Sequence, residues 1–209
     1  MTPYEHPDWP ALLRAVIESP DDDTPRLVAA DWLEERGEPA RAELIRVQCE
    51  LARGGRIRAL IARERKLLGS LSFEKAQWAL DACPGIVQML FLPQPRSPLA
   101  ATQIVGVEQV TFRRGFVERV DCPATEWRNH GAAVVQRSPL RNLVLLNCGE
   151  LGSVSEWLPF LSTLARLRYL AVVGRSDFVP VLCDWLGGQL PAVSVDARIY
   201  APGGGEIIS

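Results

Sequence analysis

Lysine and histidine are nearly missing from this sequence. Of 23 basic residues in 209, only Lys66 and Lys75 are lysines, and His6 and His130 are the two histidines. Neither histidine sits in an H-E-x-x-H pattern and no cysteine pair has C-x-x-C spacing, so the common zinc motifs are excluded. No apolar run approaches the length of a transmembrane helix. The opening stretch, MTPYEHPDWPALLRAV, carries acids and prolines where a secretory leader has a cationic start and an unbroken apolar core, so no leader is expected. A formal charge of −2 gives no global pull toward nucleic acid or membrane. The five cysteines, Cys49, Cys83, Cys122, Cys148 and Cys183, are odd in number and widely spaced. A reduced, cytoplasmic chain is the expectation.

What is present is an ordinary globular balance, 47% hydrophobic and 23% charged. The arginines are scattered along the whole chain, which fits a compositional bias better than a single anion-binding patch. Residues 1–92 read as helical. A first helix begins near Pro10 with Asp8 as cap, and a second starts at Thr24-Pro25 and stops at Gly37. A third opens at Pro39, a fourth covers 57–70 and a fifth 72–82. Leu27, Trp32, Leu44 and Ile45 are the expected core of this module. Residues 93–106, with Pro93, Pro95 and Pro98, read as a linker. A hairpin is expected where Val110 and Phe112 precede Arg113-Arg114-Gly115 and Phe116 opens a second strand.

The second half, 107–200, repeats a pattern. Allowing Val or Cys for Leu, the form L-x-x-L-x-L recurs at Val117/Val120/Cys122, Leu140/Leu143/Leu145, Leu167/Leu170/Val172 and Leu190/Val193/Val195, with starts 23, 27 and 23 residues apart. Those intervals match leucine-rich repeats, in which one strand and one helix stack on the next unit to bury a shared core. Helices are expected over 124–137, 153–164 and 177–187, the second with Ser153 and Glu156 as a capping box. The asparagine ladder of regular repeats is missing, so the array is degenerate. Residues 201–209 read as a flexible tail. The expected fold is α/β: a helical module followed by a short leucine-rich-repeat-like array with a small parallel sheet.

The segment PDDDTPRLVAADWLEERGEPARAELIRVQCELA, residues 20–52, resembles the N-terminal signature of the repeat-companion domain family, found in planctomycete-type bacteria and often joined to leucine-rich repeats. The residues that carry the resemblance include Asp22, Asp23, Arg26, Asp31, Trp32, Gly37, Arg41, Glu43, Arg46 and Gln48. FRRGFVERV, residues 112–120, resembles the transition into the repeats of such proteins. The resemblance implies the same two-part architecture and brings no activity with it.

Several constellations bear on function. Asp21-Asp22-Asp23 lacks the EF-hand form and reads as a turn before a helix N-terminus. Arg26, Asp31, Glu43, Arg46 and Gln48 are expected to form a polar network joining the second and third helices. Asp31 and Glu43 could serve as paired carboxylates, but no nucleophile or phosphate loop accompanies them. Gly203-Gly204-Gly205 lacks the Lys-Ser/Thr of a phosphate loop, so no cofactor is expected. Cys122 and Cys148 fall on repeat positions that call for small buried residues.

The favoured expectation is a non-enzymatic module that binds a protein partner through the outward strand positions. These are Arg119 and Asp121, Asn142 and Val144, Tyr169 and Ala171, and Ala192 and Ser194, with Arg119, Asp121, Asn142, Val144, Tyr169 and Ser194 as the site. The second reading is a nucleic-acid-associated regulator. It would use the basic cluster Arg53, Arg56, Arg58, Arg63, Arg65 and Lys66, which has no interleaved aromatics. No metal site, no membrane contact and no catalytic residue is expected.

Overall fold

Proline opens three helices in succession. In α1 (Trp9–Glu18), α2 (Thr24–Glu35) and α3 (Pro39–Ala52) it occupies one of the first two positions, where its missing N–H would have had no helical partner. The computed structural model describes residues 3–54, 57–92, 101–151, 153–174, 177–200 and 207–208. Thr24 is the first residue of α2, and its N–H is accepted by the Asp22 carboxylate at 2.8 Å. Two more helices follow, α4 (Arg58–Ser70) and α5 (Ser72–Ala82). Next comes a two-stranded antiparallel ribbon of β1 (Gln88–Leu92) and β2 (Ala101–Val105). The strand β2 thus occupies the end of the expected linker, and 93–100 lie outside the described residues.

The rest of the chain builds one α/β layer pair. In chain order it runs β3 (Val110–Arg113), β4 (Phe116–Pro123), α6 (Ala124–Arg137), β5 (Asn142–Leu146), α7 (Leu161–Leu164), β6 (Tyr169–Gly174), α8 (Phe178–Gln189), β7 (Ser194–Tyr200) and β8 (Ile207–Ile208). These strands form a single sheet in the order β3-β4-β5-β6-β7-β8. The inner pairings β4–β5, β5–β6 and β6–β7 are parallel, because each strand is followed by a helical crossover. The outer pairs, β3–β4 and β7–β8, are antiparallel. The β8 strand falls within the expected flexible tail, and 201–206 and 209 lie outside the described residues.

Two expectations fail locally. The helix expected over 153–164 is a 3-10 segment at Val154–Phe160 followed by the single turn α7. Pro159 explains this, since it removes a helical donor and disfavours the α conformation in the residue before it. The fourth repeat is also displaced. Val120, Leu143, Leu170 and Val195 lie side by side, as do Cys122, Leu145, Val172 and Ala197. Val195, not Val193, therefore occupies the place of Leu170. The helix α8 runs on to Gln189, and a turn closed by the Val193 N–H on the Leu190 carbonyl delays β7 until Ser194. A slip of two residues preserves the buried face, because side chains alternate with period two.

The helical half and the sheet share one core. Leu44 of α3, Trp78 and Ala79 of α5 and Cys83 just after it pack in the same cluster as Val120, Leu143 and Leu170 of the sheet and Trp127, Leu182 and Leu186 of α6 and α8. A second cluster joins α1, α2 and α3 to Phe116, the first residue of β4. Leu44 and Ile45 are fully buried, as expected. Leu27 and Trp32 are only half-buried, and the Arg36 guanidinium covers the Trp32 ring at 4.0 Å.

The hairpin turn between β3 and β4 is the mechanical joint. Arg114 and Gly115 both have positive φ, 49° and 79°, as a tight two-residue hairpin requires. Gly115 lies against α3, where an added Cβ would meet Ile45 at 2.1 Å. Its N–H is accepted by the Gln48 carboxamide at 2.7 Å, and the same Gln48 donates to Glu64 of α4. Arg26 of α2, fully buried, donates to Glu118 of β4 at 2.7 Å. Arg114 joins Glu118 to Asp23, and Asp23 also takes Arg53. Arg41, buried as well, is ringed by Tyr4, Trp9, Trp78 and Phe116. The expected network between α2 and α3 is therefore only part of the arrangement. Arg46 does tie α3 to Asp31 and Glu34 of α2, but Arg26 and Gln48 reach past α2 and α3 to the hairpin.

Candidate protein-binding face

The face of the sheet turned away from α6 and α8 carries two rows of side chains in register. Arg119, Asn142, Tyr169 and Ser194 form the first row, and Asp121, Val144, Ala171 and Asp196 the second. All six residues proposed from sequence as the partner-binding site lie in these rows. Ala192, expected beside Tyr169, precedes β7 and belongs to neither. Ser194 takes the place beside Tyr169, and the two-residue slip brings Asp196 and Arg198 onto the face.

The charged groups are already held. Arg119 forks onto Asp121 with bonds of 2.7 and 2.8 Å, the planar two-point geometry that only a guanidinium offers a carboxylate. On the other side of the face, the Tyr169 hydroxyl donates to Asp196 at 2.9 Å and accepts from Arg198 at 2.6 Å. Arg198 closes the triangle on Asp196 at 3.1 Å. The Tyr169 hydroxyl, with help from Arg198, holds the Asp196 carboxyl below the usual aspartate range. Burial, then the neighbouring carboxylate, pushes the Tyr169 phenol up. Between the two charge groups lies an apolar floor of Val144, Ala171 and Val173, buried beneath Leu146 and Tyr169. Val144 is thus part of the floor and not an open contact, while Asn142 is half-exposed and Ser194 exposed.

The basic cluster is divided. Arg53 pairs with Asp23, and Arg63 pairs with Glu43 of α3. Arg58, Arg65 and Lys66 are exposed on α4, and Arg56 lies outside the described residues. The carboxylates weighed as a catalytic pair are each bound to a different arginine, Asp31 to Arg46 and Glu43 to Arg63. Four cysteines are buried, and burial pushes the thiols of Cys49, Cys83 and Cys148 up to about 12 and raises that of Cys122 as well. Such thiols carry almost no thiolate at neutral pH and make poor nucleophiles. Among the described residues no three His, Cys, Asp or Glu side chains gather closely enough to hold a metal ion, and no helix is long and apolar enough to cross a membrane.

Asp196 and Arg198 were missed from sequence because the fourth repeat was framed on Val193 and Val195. The alternation in Ser194-Val195-Asp196-Ala197-Arg198 offers the other frame, with small apolar residues inward and polar ones outward. Comparison with family models, with characterised proteins and with solved structures finds no match to this chain.

Proposed function

We propose that this protein is a non-enzymatic, cytoplasmic interaction module. It binds a protein partner through the exposed face of a short leucine-rich-repeat-like array, with a helical module of repeat-companion type packed against the array's first strand. The observation that carries the reading is the pair of registered rows on β4, β5, β6 and β7. Their charged groups and the Tyr169 hydroxyl are fixed in advance by the Arg119–Asp121 fork and the Tyr169–Asp196–Arg198 triangle. A face on rigid strands with its side chains already ordered loses little conformational freedom on binding. Alternating opposite charges around an apolar centre suit a protein surface better than a phosphate backbone, which calls for cations alone.

The test is site-specific photocrosslinking in cells. Benzoylphenylalanine at Asn142 or Ser194 should yield a discrete protein adduct, and the same group at exposed Glu74 on α5 should not. Adducts of equal yield at all three positions, or none at the two face positions, would defeat the reading. The second reading, a nucleic-acid contact, is favoured by Arg58, Arg65 and Lys66, which have no ion-pair partner among the described residues. A duplex probe whose binding falls steeply with salt, and which Arg58→Gln with Arg65→Gln weakens, would support that reading instead.

A further inference from the structure

The α1–α2 turn carries three consecutive acids, and each meets different groups. Asp22 accepts the Thr24 N–H at the start of α2, and Asp23 takes Arg53 and Arg114. Asp21 reaches the sheet. One of its carboxylate oxygens accepts a hydrogen bond from Arg141 and forms an ion pair with Arg168 at 2.6 Å. Arg141 and Arg168 are the residues immediately before β5 and β6, and the backbone N–H of Arg168 bonds the Arg141 carbonyl. Two guanidiniums from adjacent strands thus converge on a single carboxylate oxygen.

A groove of about 580 Å³ lies around this point, within the range of ligand-binding sites. Its apolar walls include Ile17, Val135 and Leu140, and a third guanidinium, Arg166, lines it together with the exposed carboxylate of Glu18, so that three arginines face one fixed acid besides Asp21. Arg166 is exposed and has no carboxylate partner among the described residues. The Nε of Arg141 is buried and has no hydrogen-bond acceptor among the described residues. A buried charged donor without an acceptor is costly and marks a place where an acceptor is wanted. Asp21, by contrast, has a side chain about half exposed (53%), on a turn rather than in a helix.

We infer that this groove is a second binding site, that it takes an acidic side chain flanked by apolar residues on a segment of a partner protein, and that Asp21 is its intramolecular occupant. The carboxylate already seated there demonstrates the chemistry the two arginines accept. A carboxylate matches the guanidinium fork, and the walls of Ile17, Val135 and Leu140 would receive the apolar neighbours. The Arg141 bond, chief among several, holds the Asp21 carboxyl below the usual range, so Asp21 is charged and competes at neutral pH. An incoming carboxylate therefore binds only in the fraction of molecules from which Asp21 has swung away, and its apparent affinity is reduced by that fraction. Nothing in this inference depends on the strand face or on Tyr169.

The test uses the full chain and two capped tripeptides, one with aspartate between two leucines and one with asparagine in its place. Binding is followed through the arginine Nε–H resonances in NMR titrations. The aspartate peptide should bind Asp21→Asn at least fivefold more tightly than the unmodified chain, inorganic phosphate should compete with it, and the asparagine peptide should not bind. Adding Arg168→Gln, at an exposed position, should abolish the gain. The unmodified chain gives a check independent of Asp21→Asn, since it should still bind the aspartate peptide weakly and lose that binding on Arg168→Gln alone. Equal affinity with and without Asp21, equal affinity for the two peptides, or no saturable shift in either chain would overturn the inference. Phosphate binding without any peptide response would overturn the assignment to a protein segment.

Discussion

The carboxamide of Gln48 accepts the backbone N–H of Gly115 at 2.7 Å, and this one bond fastens a hairpin turn to a helix 67 residues earlier in the chain. Gln48 lies in the stretch 20–52 and Gly115 in the stretch 112–120, and the fold brings these two stretches into direct contact. Arg26 with Glu118, and Ile45 with Gly115, repeat the relationship on either side.

Gly115→Ala should therefore destabilise the protein in two ways at once. The residue holds φ of +79°, and its Cβ would collide with Ile45. A loss of about 2–3 kcal/mol is expected from urea unfolding, since strained backbone and core crowding each cost about 1–3 kcal/mol. Gly37→Ala is the matched control. Its φ is +85° with nothing near the added carbon, so about 1 kcal/mol is expected there. Equal losses at the two positions would show that the close approach to Ile45 contributes nothing.

Breaking the Arg26–Glu118 pair from one side should be more damaging still. Glu118→Ala leaves Arg26 buried without a carboxylate partner, beside the like charge of Arg114 and with the Asp22 carbonyl as its remaining acceptor. Stranding a buried charge typically costs about 3–5 kcal/mol. Replacing both partners, as Arg26→Met with Glu118→Leu, removes the desolvation penalty with the charges and should recover at least half of that loss. The comparison of single and double variants by thermal unfolding isolates the coupling.

How far this was legible in the sequence depends on the length scale. The α3 stripe, the prolines that open α1, α2 and α3, and the parallel order of β4, β5, β6 and β7 follow from local pattern alone. So does the placement of Arg119, Asn142 and Tyr169 in one row. What local pattern does not carry is the partner of each polar residue. Arg26 looks amphipathic in its own helix, but its carboxylate lies 92 residues downstream. The frame of the last strand was ambiguous because Leu190, Val193 and Val195 fit the repeat as well as Val195 and Ala197 do. The choice was made by the length of α8, and no residue of β7 encodes that length. Asp21 reads as a turn residue, and only the fold brings Arg141 and Arg168 to it.

Acid should weaken the protein through two of these contacts. Asp21 facing Arg141 and Arg168, and Asp196 facing Tyr169 and Arg198, have folded-state pKa values below the ordinary aspartate value of 3.8. A depressed carboxyl contributes stability that is full above its unfolded pKa and is lost as pH falls through the folded one. The double variant Asp21→Asn with Asp196→Asn should accordingly be less stable than the parent at about pH 7. The gap should close below about pH 4, in the aspartate titration range. Both carboxylates are partly exposed, so the gap is expected to be small. A gap that stays constant from pH 7 to pH 2.5 would mean that neither carboxylate is held by its arginine.

Thiol chemistry should distinguish one cysteine from the other four. Cys49, Cys83, Cys122 and Cys148 are buried with raised pKa values, while Cys183 on α8 is half-exposed and raised too. Under native conditions at mildly alkaline pH, a thiol reagent should label one site per chain in minutes, identified as Cys183 by peptide mapping. All five should react in denaturant. Fast labelling of Cys122 or Cys148 in the native state would show that the core between the sheet and α6 opens readily.

Tyr169 separates the packing role of the strand face from the binding role proposed for it. Its ring covers Val144 and Ala171, and its hydroxyl links Asp196 to Arg198. Tyr169→Ala should uncover the floor and cost about 2 kcal/mol, roughly half of what a fully buried aromatic loses, because the ring is only partly enclosed. An affinity loss in that variant would thus be ambiguous between a lost contact and a disordered face. Tyr169→Phe is the cleaner probe. It keeps the ring over Val144 and Ala171, leaves the Asp196–Arg198 pair intact and removes only the hydroxyl, so stability should fall by about 0.5–1.5 kcal/mol. If a partner uses this face, the freed Asp196 and Arg198 would rearrange against it, and affinity for the crosslinked partner should change by severalfold. Measuring the melting temperature and the dissociation constant on both variants decides the matter. A partner whose affinity is unmoved by Tyr169→Phe and by Ser194→Arg, the latter exposed and in the same row, does not dock on these strands.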